Sequence, residues 1–158
     1  MEIVSTQALN KQKIEDFFLK QWGSPRMVLS TGTYDCDTLD GFTILDGNGE
    51  IIGLLTYIIE KDECEIISLD SIQENKGIGS TLIRETERHL KTKDCKKIKL
   101  ITTNDNLRAL KFYQKRGYQL TQVFPNAVEK SRRIKPEIPL TAANGIPIRD
   151  DLLSVKTL

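Results

Sequence analysis

Between a strand-like apolar run and a helix-like one, the chain reads Gln73-Glu74-Asn75-Lys76-Gly77-Ile78-Gly79-Ser80. The chemistry this can do is anion binding. A helix start carries unpaired backbone N–H groups and the positive end of the helix dipole, so a phosphate is stabilised there. Glycines at Gly77 and Gly79 remove Cβ atoms that would keep a pyrophosphate away. Ser80 can add a hydroxyl and Lys76 a charge. One such contact contributes only about 0.3–2 kcal/mol, so several must act together. Two familiar phosphate loops do not fit. A P-loop needs Gly-Lys-Ser/Thr, which is absent, and a dinucleotide loop needs a third glycine where Leu82 stands. The bland alternative is a tight strand-to-helix turn that simply uses glycine.

A second cluster is Asn106-Leu107-Arg108-Ala109-Leu110-Lys111-Phe112-Tyr113, closed by Gly117-Tyr118. Tyr113 carries a phenol that can move a proton. The plainer readings are that Asn106 caps a helix, Ala109 favours one, and Tyr113 belongs to the core. His89 stands among charged residues and reads as exposed, whereas Trp22 reads as core.

The elements that must position these residues follow from periodicity. Ile14, Phe17, Phe18 and Trp22 recur at helical spacing, with Asn10 as a cap and Gly23-Ser24-Pro25 as a stop. Met27–Leu29 suggests a short strand, followed by a polar loop to Asp40. Phe42–Leu45 and Ile51–Ile59 read as a hairpin around Asp46-Gly47-Asn48-Gly49. Lys61-Asp62 then turns the chain into a strand, Glu63–Leu69. Ile78, Leu82, Ile83 and Leu90 mark a helix from Gly77 to Lys93. A strand ending in Thr102-Thr103-Asn104 comes next, and then the helix bearing Tyr113. Tyr118–Phe124, a helical stretch Ala127–Arg133, and a closing strand Asp151–Val155 that pairs with Tyr118–Phe124 complete the order. This predicts a mixed α/β (α+β) fold, one domain over residues 1–158, with a central sheet of about six to seven strands and flanking helices.

With both motifs in order, the chain resembles the GCN5-related N-acetyltransferases. Their [Q/R]xxGx[G/A] turn is matched by Glu74-Asn75-Lys76-Gly77-Ile78-Gly79, with Glu74 departing from the usual Gln or Arg. Asn106, Ala109 and Tyr113 match their NxxAxxxY motif. The resemblance implies acetyl-CoA as co-substrate, its pyrophosphate on the backbone of the glycine turn. It implies a splayed strand pair that takes the pantetheine arm, contacted by the backbone of Ile67, Leu69 and Ser71. Thr102, Thr103 and Asn104 would line the same cleft. Asn106 would bond near the arm, Ala109 would permit close packing, and Tyr113 would protonate the departing thiolate. Some members place a glutamate base at the position of Glu63. Glu63 and Glu65 share a face with Leu69 by the period of two along a strand, with Cys64 on the opposite face. A solvated strand face is an equal reading of that pair. The implied reaction is direct attack of a primary amine on the thioester, without metal or covalent intermediate. The tail, Ser131 to Pro139 and Gly145 to Asp150, resembles the ending of an uncharacterised bacterial subgroup. Arg132 and Arg133 there can meet an acidic acceptor or the ribose phosphate, or form a solvated basic face.

Composition bounds the rest. The 158 residues carry 23 Lys plus Arg against 22 Asp plus Glu, a net charge of +1. So even a balance gives no electrostatic reason to expect nucleic acid or an anionic membrane as partner. Three widely spaced cysteines form neither a disulfide framework nor a zinc site. No apolar run is long enough to span a bilayer. These features predict a cytoplasmic protein, and the resemblance implies an enzyme acting on a small-molecule or protein amine, with a homodimer as an allowed assembly. The competing reading is a non-catalytic acyl-CoA-binding or sensing module.

Overall fold

A computed structural model describes residues 1–73 and 76–158; Glu74 and Asn75 lie outside the described residues. In chain order the elements are β1 (Glu2–Ser5), α1 (Lys11–Trp22), β2 (Arg26–Leu29), β3 (Gly32–Asp35), β4 (Asp40–Leu45), β5 (Ile51–Glu60), β6 (Glu63–Ser71), α2 (Ile78–Thr92), β7 (Lys97–Thr103), α3 (Leu107–Gln114), β8 (Gln119–Phe124), α4 (Ala127–Ile134) and β9 (Asp151–Thr157). Seven strands form one mixed sheet in the order β1-β4-β5-β6-β7-β9-β8, and β2 and β3 form a separate ribbon. The mixed α/β class read from the sequence is the one found. The chain separates into two compact units.

The first unit comprises residues 1–27 and 35–98 with residue 158. Its strands β1, β4, β5 and β6 pair antiparallel. The Asp46 carboxylate accepts from the Asn48 and Glu50 amides and fixes the β4–β5 turn. α1 begins where the Asn10 side chain accepts from the Gln12 amide and ends at Gly23. Phe18 on α1 and Leu54, Leu55, Leu82, Ile83, Leu90 and Ile98 are almost wholly buried. Each such side chain contributes about 1.5–3 kcal/mol.

β5 reads as a continuous apolar run because both of its faces are covered. Toward α2 it presents Gly53, Leu55 and Tyr57, with the Phe42 and Tyr57 rings against His89 of α2. The opposite face carries Thr56, whose hydroxyl lies 2.5 Å from that of Ser68 on β6. The Cys36 thiol, from a 3-10 turn at Cys36–Thr38, bonds to both hydroxyls, while burial pushes it up to about 11.

The second unit comprises residues 28–34 and 99–157. Here β8 and β9 pair antiparallel, as the sequence predicts for the closing strand. The Ser30 amide and hydroxyl both donate to one Asp151 carboxylate oxygen, which ties the β2–β3 turn to the start of β9.

Three expectations need correction. β1 and β3 are strands where none was predicted; both are four residues long and largely exposed, so neither has an apolar periodicity to read. His89 is half-buried against two aromatic rings, not solvated. Trp22 is 47% exposed and not core.

Candidate active site

The first unit supplies β6, the glycine turn and the start of α2. β6 pairs with β5 in regular register from Glu63 to Ile66, opposite Glu60 to Tyr57. Ser68 then faces Thr56, so Ile67 is an extra residue, a β-bulge. The bulge exchanges the faces. Glu63 and Glu65 share a face with Ser68 and Asp70, whereas Leu69 joins Cys64 and Ile66 on the α2 side. The expectation that Leu69 lies with the two glutamates is therefore corrected by one inserted residue. Glu65 is buried and Glu63 half-buried, while Cys64 lies opposite them as predicted. Ile67 is buried, Leu69 half-buried, and Ser71 exposed with its hydroxyl donating to the Gln73 carbonyl.

Of the predicted turn, Glu74 and Asn75 lie outside the described residues. Gly77 is the cap residue of α2, at φ 72° in the left-handed region, and as a glycine it brings no side chain of its own to the helix start. The first backbone amides of a helix start and the positive end of its dipole are the electrostatic requirement of an anion site. Among the described residues, a Cβ on Gly77 would meet nothing within 4 Å. The Gly77 carbonyl is engaged instead, accepting from the Thr81 amide at 3.0 Å and its hydroxyl at 2.8 Å. Ile78 anchors the helix start: it is 2% exposed and packs over Gly53, where a Cβ would come within 2.4 Å of its Cγ2. Gly79 and Ser80 are half-buried in the first turn, and Lys76 is exposed.

Sequence reasoning passed over a group on the same strand. The Trp22 indole N–H, at the last residue of α1, donates to both oxygens of Asp70 at 3.0 Å. Burial raises the Asp70 carboxyl to about 6, and the indole hydrogen bond moderates the rise. The signal available was the pairing of an aromatic donor at a helix terminus with an acid beside the turn. Strict alternation from Glu63 sets that acid on the wrong face.

The second unit supplies the other predicted residues. Asn104 is held by the tail: its amide donates to the Pro147 carbonyl at 2.9 Å, and its oxygen accepts from the Arg149 and Asp150 amides. The Asn106 oxygen accepts from the Ala109 amide at 3.1 Å and so caps α3. Ala109 is half-buried in the first turn of that helix. Tyr113 is 8% exposed, its ring edge-on to Phe112 and Tyr118 at 5.2 and 5.6 Å. Thr102 on β7 has a buried hydroxyl with no hydrogen-bond partner among the described residues, a polar atom that an amide-bearing ligand suits. Arg132 donates to the carbonyls of Ile138, Pro139 and Ile148, so it clamps the tail. Arg133 pairs with Glu129 at 3.6 Å.

The three cysteines are free and buried, and burial raises the thiols of Cys36, Cys64 and Cys95. Among the described residues no group of three or more His, Cys, Asp or Glu side chains is placed to hold a metal ion, and no helix is long and apolar enough to cross a membrane.

An uncharacterised Bacillus subtilis protein, YxbD, is 57% identical over 158 residues, covering 100% of this chain and 99% of its own. The crystal structure of a GNAT family acetyltransferase from Elizabethkingia anophelis with acetyl-CoA bound is 25% identical with a TM-score of 0.67, covering 77% of each chain. An IAA acetyltransferase from Bacillus cereus shares the fold, with 20% identity and a TM-score of 0.72 over 99% of this chain and 100% of its own. The family model for the acetyltransferase (GNAT) family matches residues 9–118. The glycine turn, the start of α2 and the Tyr113 helix all fall inside that match, and the chain belongs to the GNAT acetyltransferase family.

Proposed function

We propose that residues 1–158 act as one N-acetyltransferase, moving an acetyl group from acetyl-CoA to a primary amine by direct attack. The observation that carries this reading is the start of α2, which follows β6 directly through a left-handed Gly77 whose missing Cβ leaves the turn open among the described residues. Backbone amides at Ile78, Gly79 and Ser80, with the Lys76 side chain beside them, are the donors for the pyrophosphate. They need no side-chain help from Glu74, which departs from the family pattern. The backbone of β6 around Ile67, Leu69 and Ser71 receives the pantetheine arm and polarises the thioester carbonyl. Thr102, whose buried hydroxyl has a hydrogen bond to give, suits the same arm. The Asn106 side chain sets the start of α3, and Ala109 keeps that turn small.

Tyr113 is the acid for the leaving thiolate, and its packing between two rings fixes the phenol's direction. Glu63 and Glu65 remain candidates for the base, now on the face that also bears Ser68 and Asp70. Buried, protonated thiols make a cysteine-linked intermediate a poor route, which favours direct transfer.

The test is release of coenzyme A thiol from acetyl-CoA in the presence of a panel of primary amines, with Tyr113→Phe as control. Turnover with an amine, reduced about 10²–10⁴-fold in the variant while acetyl-CoA affinity is kept, supports the reading. Binding of acetyl-CoA without turnover of any amine favours the acyl-CoA-binding module.

A further inference from the structure

Asp70 is placed unlike the other acids of β6. It shares their face, but it stands seven residues beyond Glu63, roughly 23 Å along an extended strand, at the end that leads into the glycine turn. The Trp22 indole grips both of its oxygens while remaining 47% exposed itself, so the pair lies at an opening and not in the core. An acid that only stabilised the fold would gain more from a cation. Here a neutral donor orients the carboxylate without neutralising it, and a half-exposed indole is a group that a cation can lie against. Among the described residues, the groups facing Asp70 are Trp22 from α1, the Cys36 thiol from the 3-10 turn, which the Asp70 charge pushes up, and apolar Leu54 opposite on β5, with Ser68, Glu65 and Glu63 further along its own face.

We propose that the Asp70 carboxylate, oriented by the Trp22 indole, receives the ammonium group of the acceptor amine and takes its proton. This rests on the acetyltransferase reading and assigns that reaction a base outside the Glu63–Glu65 pair. The acceptor is then a cationic primary amine, not an amide or an alcohol. In the reaction one ammonium proton passes through Asp70 to solvent. The freed nitrogen lone pair forms the N–C bond as the thioester C–S bond breaks. The thiolate takes the Tyr113 proton, and Tyr113 recovers one from the nitrogen, leaving one N–H in the product amide. Burial supports this role, because a carboxyl raised to about 6 is a stronger base than an ordinary one and is still ionised at neutral pH. Trp22 acts as a positioning residue.

Trp22 is the sole tryptophan, so its fluorescence reports on this pair. In wild type it is expected to titrate near pH 6, and in Asp70→Asn not to titrate there. With butylamine and spermidine as acceptors, Asp70→Asn is expected to lose at least about 100-fold in kcat/KM for the amine and to lose the acid limb of the pH profile. Its affinity for acetyl-CoA, measured alongside as the check on folding, stays within about threefold. Trp22→Phe removes the hydrogen bond that holds the carboxyl pKa down, so the acid limb moves to higher pH. An Asp70→Asn enzyme with wild-type kcat/KM and an unchanged acid limb overturns the proposal. So does a wild type that binds acetyl-CoA yet turns over neither amine. A wild type that does not bind acetyl-CoA overturns the acetyltransferase reading itself and this inference with it.

Discussion

Gly53→Ala tests whether the packing beneath α2 sets the glycine turn. An added Cβ would sit 2.4 Å from Ile78 Cγ2, 3.1 Å from Leu82 Cδ1 and 3.5 Å from the Asp70 carbonyl oxygen. Carbon atoms prefer about 3.5–4.0 Å, so Ile78 must retreat by about an ångström. It cannot swing aside freely: it is β-branched, 2% exposed, and the first residue of the helix. The displacement therefore falls on the first turn of α2, which bears the proposed phosphate donors. Replacing a strand glycine by alanine returns roughly 0.5–1 kcal/mol of backbone entropy, whereas overpacking a closed core costs typically 1–3 kcal/mol. The expected net loss is about 1–2 kcal/mol, or a fall in Tm of roughly 2–8 °C for a chain of this size. Acetyl-CoA affinity should fall at least several-fold alongside it. Thermal melts and calorimetric titration read the two effects. A Gly53→Ala protein with unchanged Tm and unchanged affinity would refute the claim that Ile78 against Gly53 positions the turn.

Asp70→Asn should raise thermal stability at pH 8. A carboxyl raised to about 6 from 3.8 is one whose ionised form the fold disfavours. The full shift corresponds to at most about 3 kcal/mol, which partial exposure reduces to about 1–2. Because the folded state binds the proton more tightly than the unfolded chain, wild type gains stability as pH falls from above 6 toward 4. The advantage of the variant should shrink over that window, and melts at pH 8 and pH 4.5 check it. Asn106→Ala removes the cap of α3 and should cost about 1 kcal/mol, read as a lower Tm even without ligand.

How far the sequence reveals this molecule depends on how local the governing interaction is. α1 is legible from its caps, because Asn10 and Gly23 act within one turn of chain. The β4–β5 hairpin is legible from Asp46 to Gly49 for the same reason, and the stripe of Ile78, Leu82, Ile83 and Leu90 shows which side of α2 is buried. The bulge at Ile67 is not legible, since it arises from how β6 pairs with β5 and leaves no mark on composition. That single residue decides which side chains share the face of Glu63. β1 is hidden because an edge strand, paired only with β4, needs no apolar alternation. Trp22 fits the apolar spacing of its helix, yet its indole N–H finds a carboxylate 48 residues away, a contact that periodicity cannot express.

The most direct test of the account is calorimetric titration of acetyl-CoA into the wild-type chain and into Gly79→Trp, with dephospho-coenzyme A alongside. The account predicts micromolar-range binding by wild type and its loss in the variant, because an indole at Gly79 would crowd the first turn of α2, where the proposed donors lie. Absence of binding by wild type, or equal binding by Gly79→Trp, would contradict the claim that this helix start is the cofactor site.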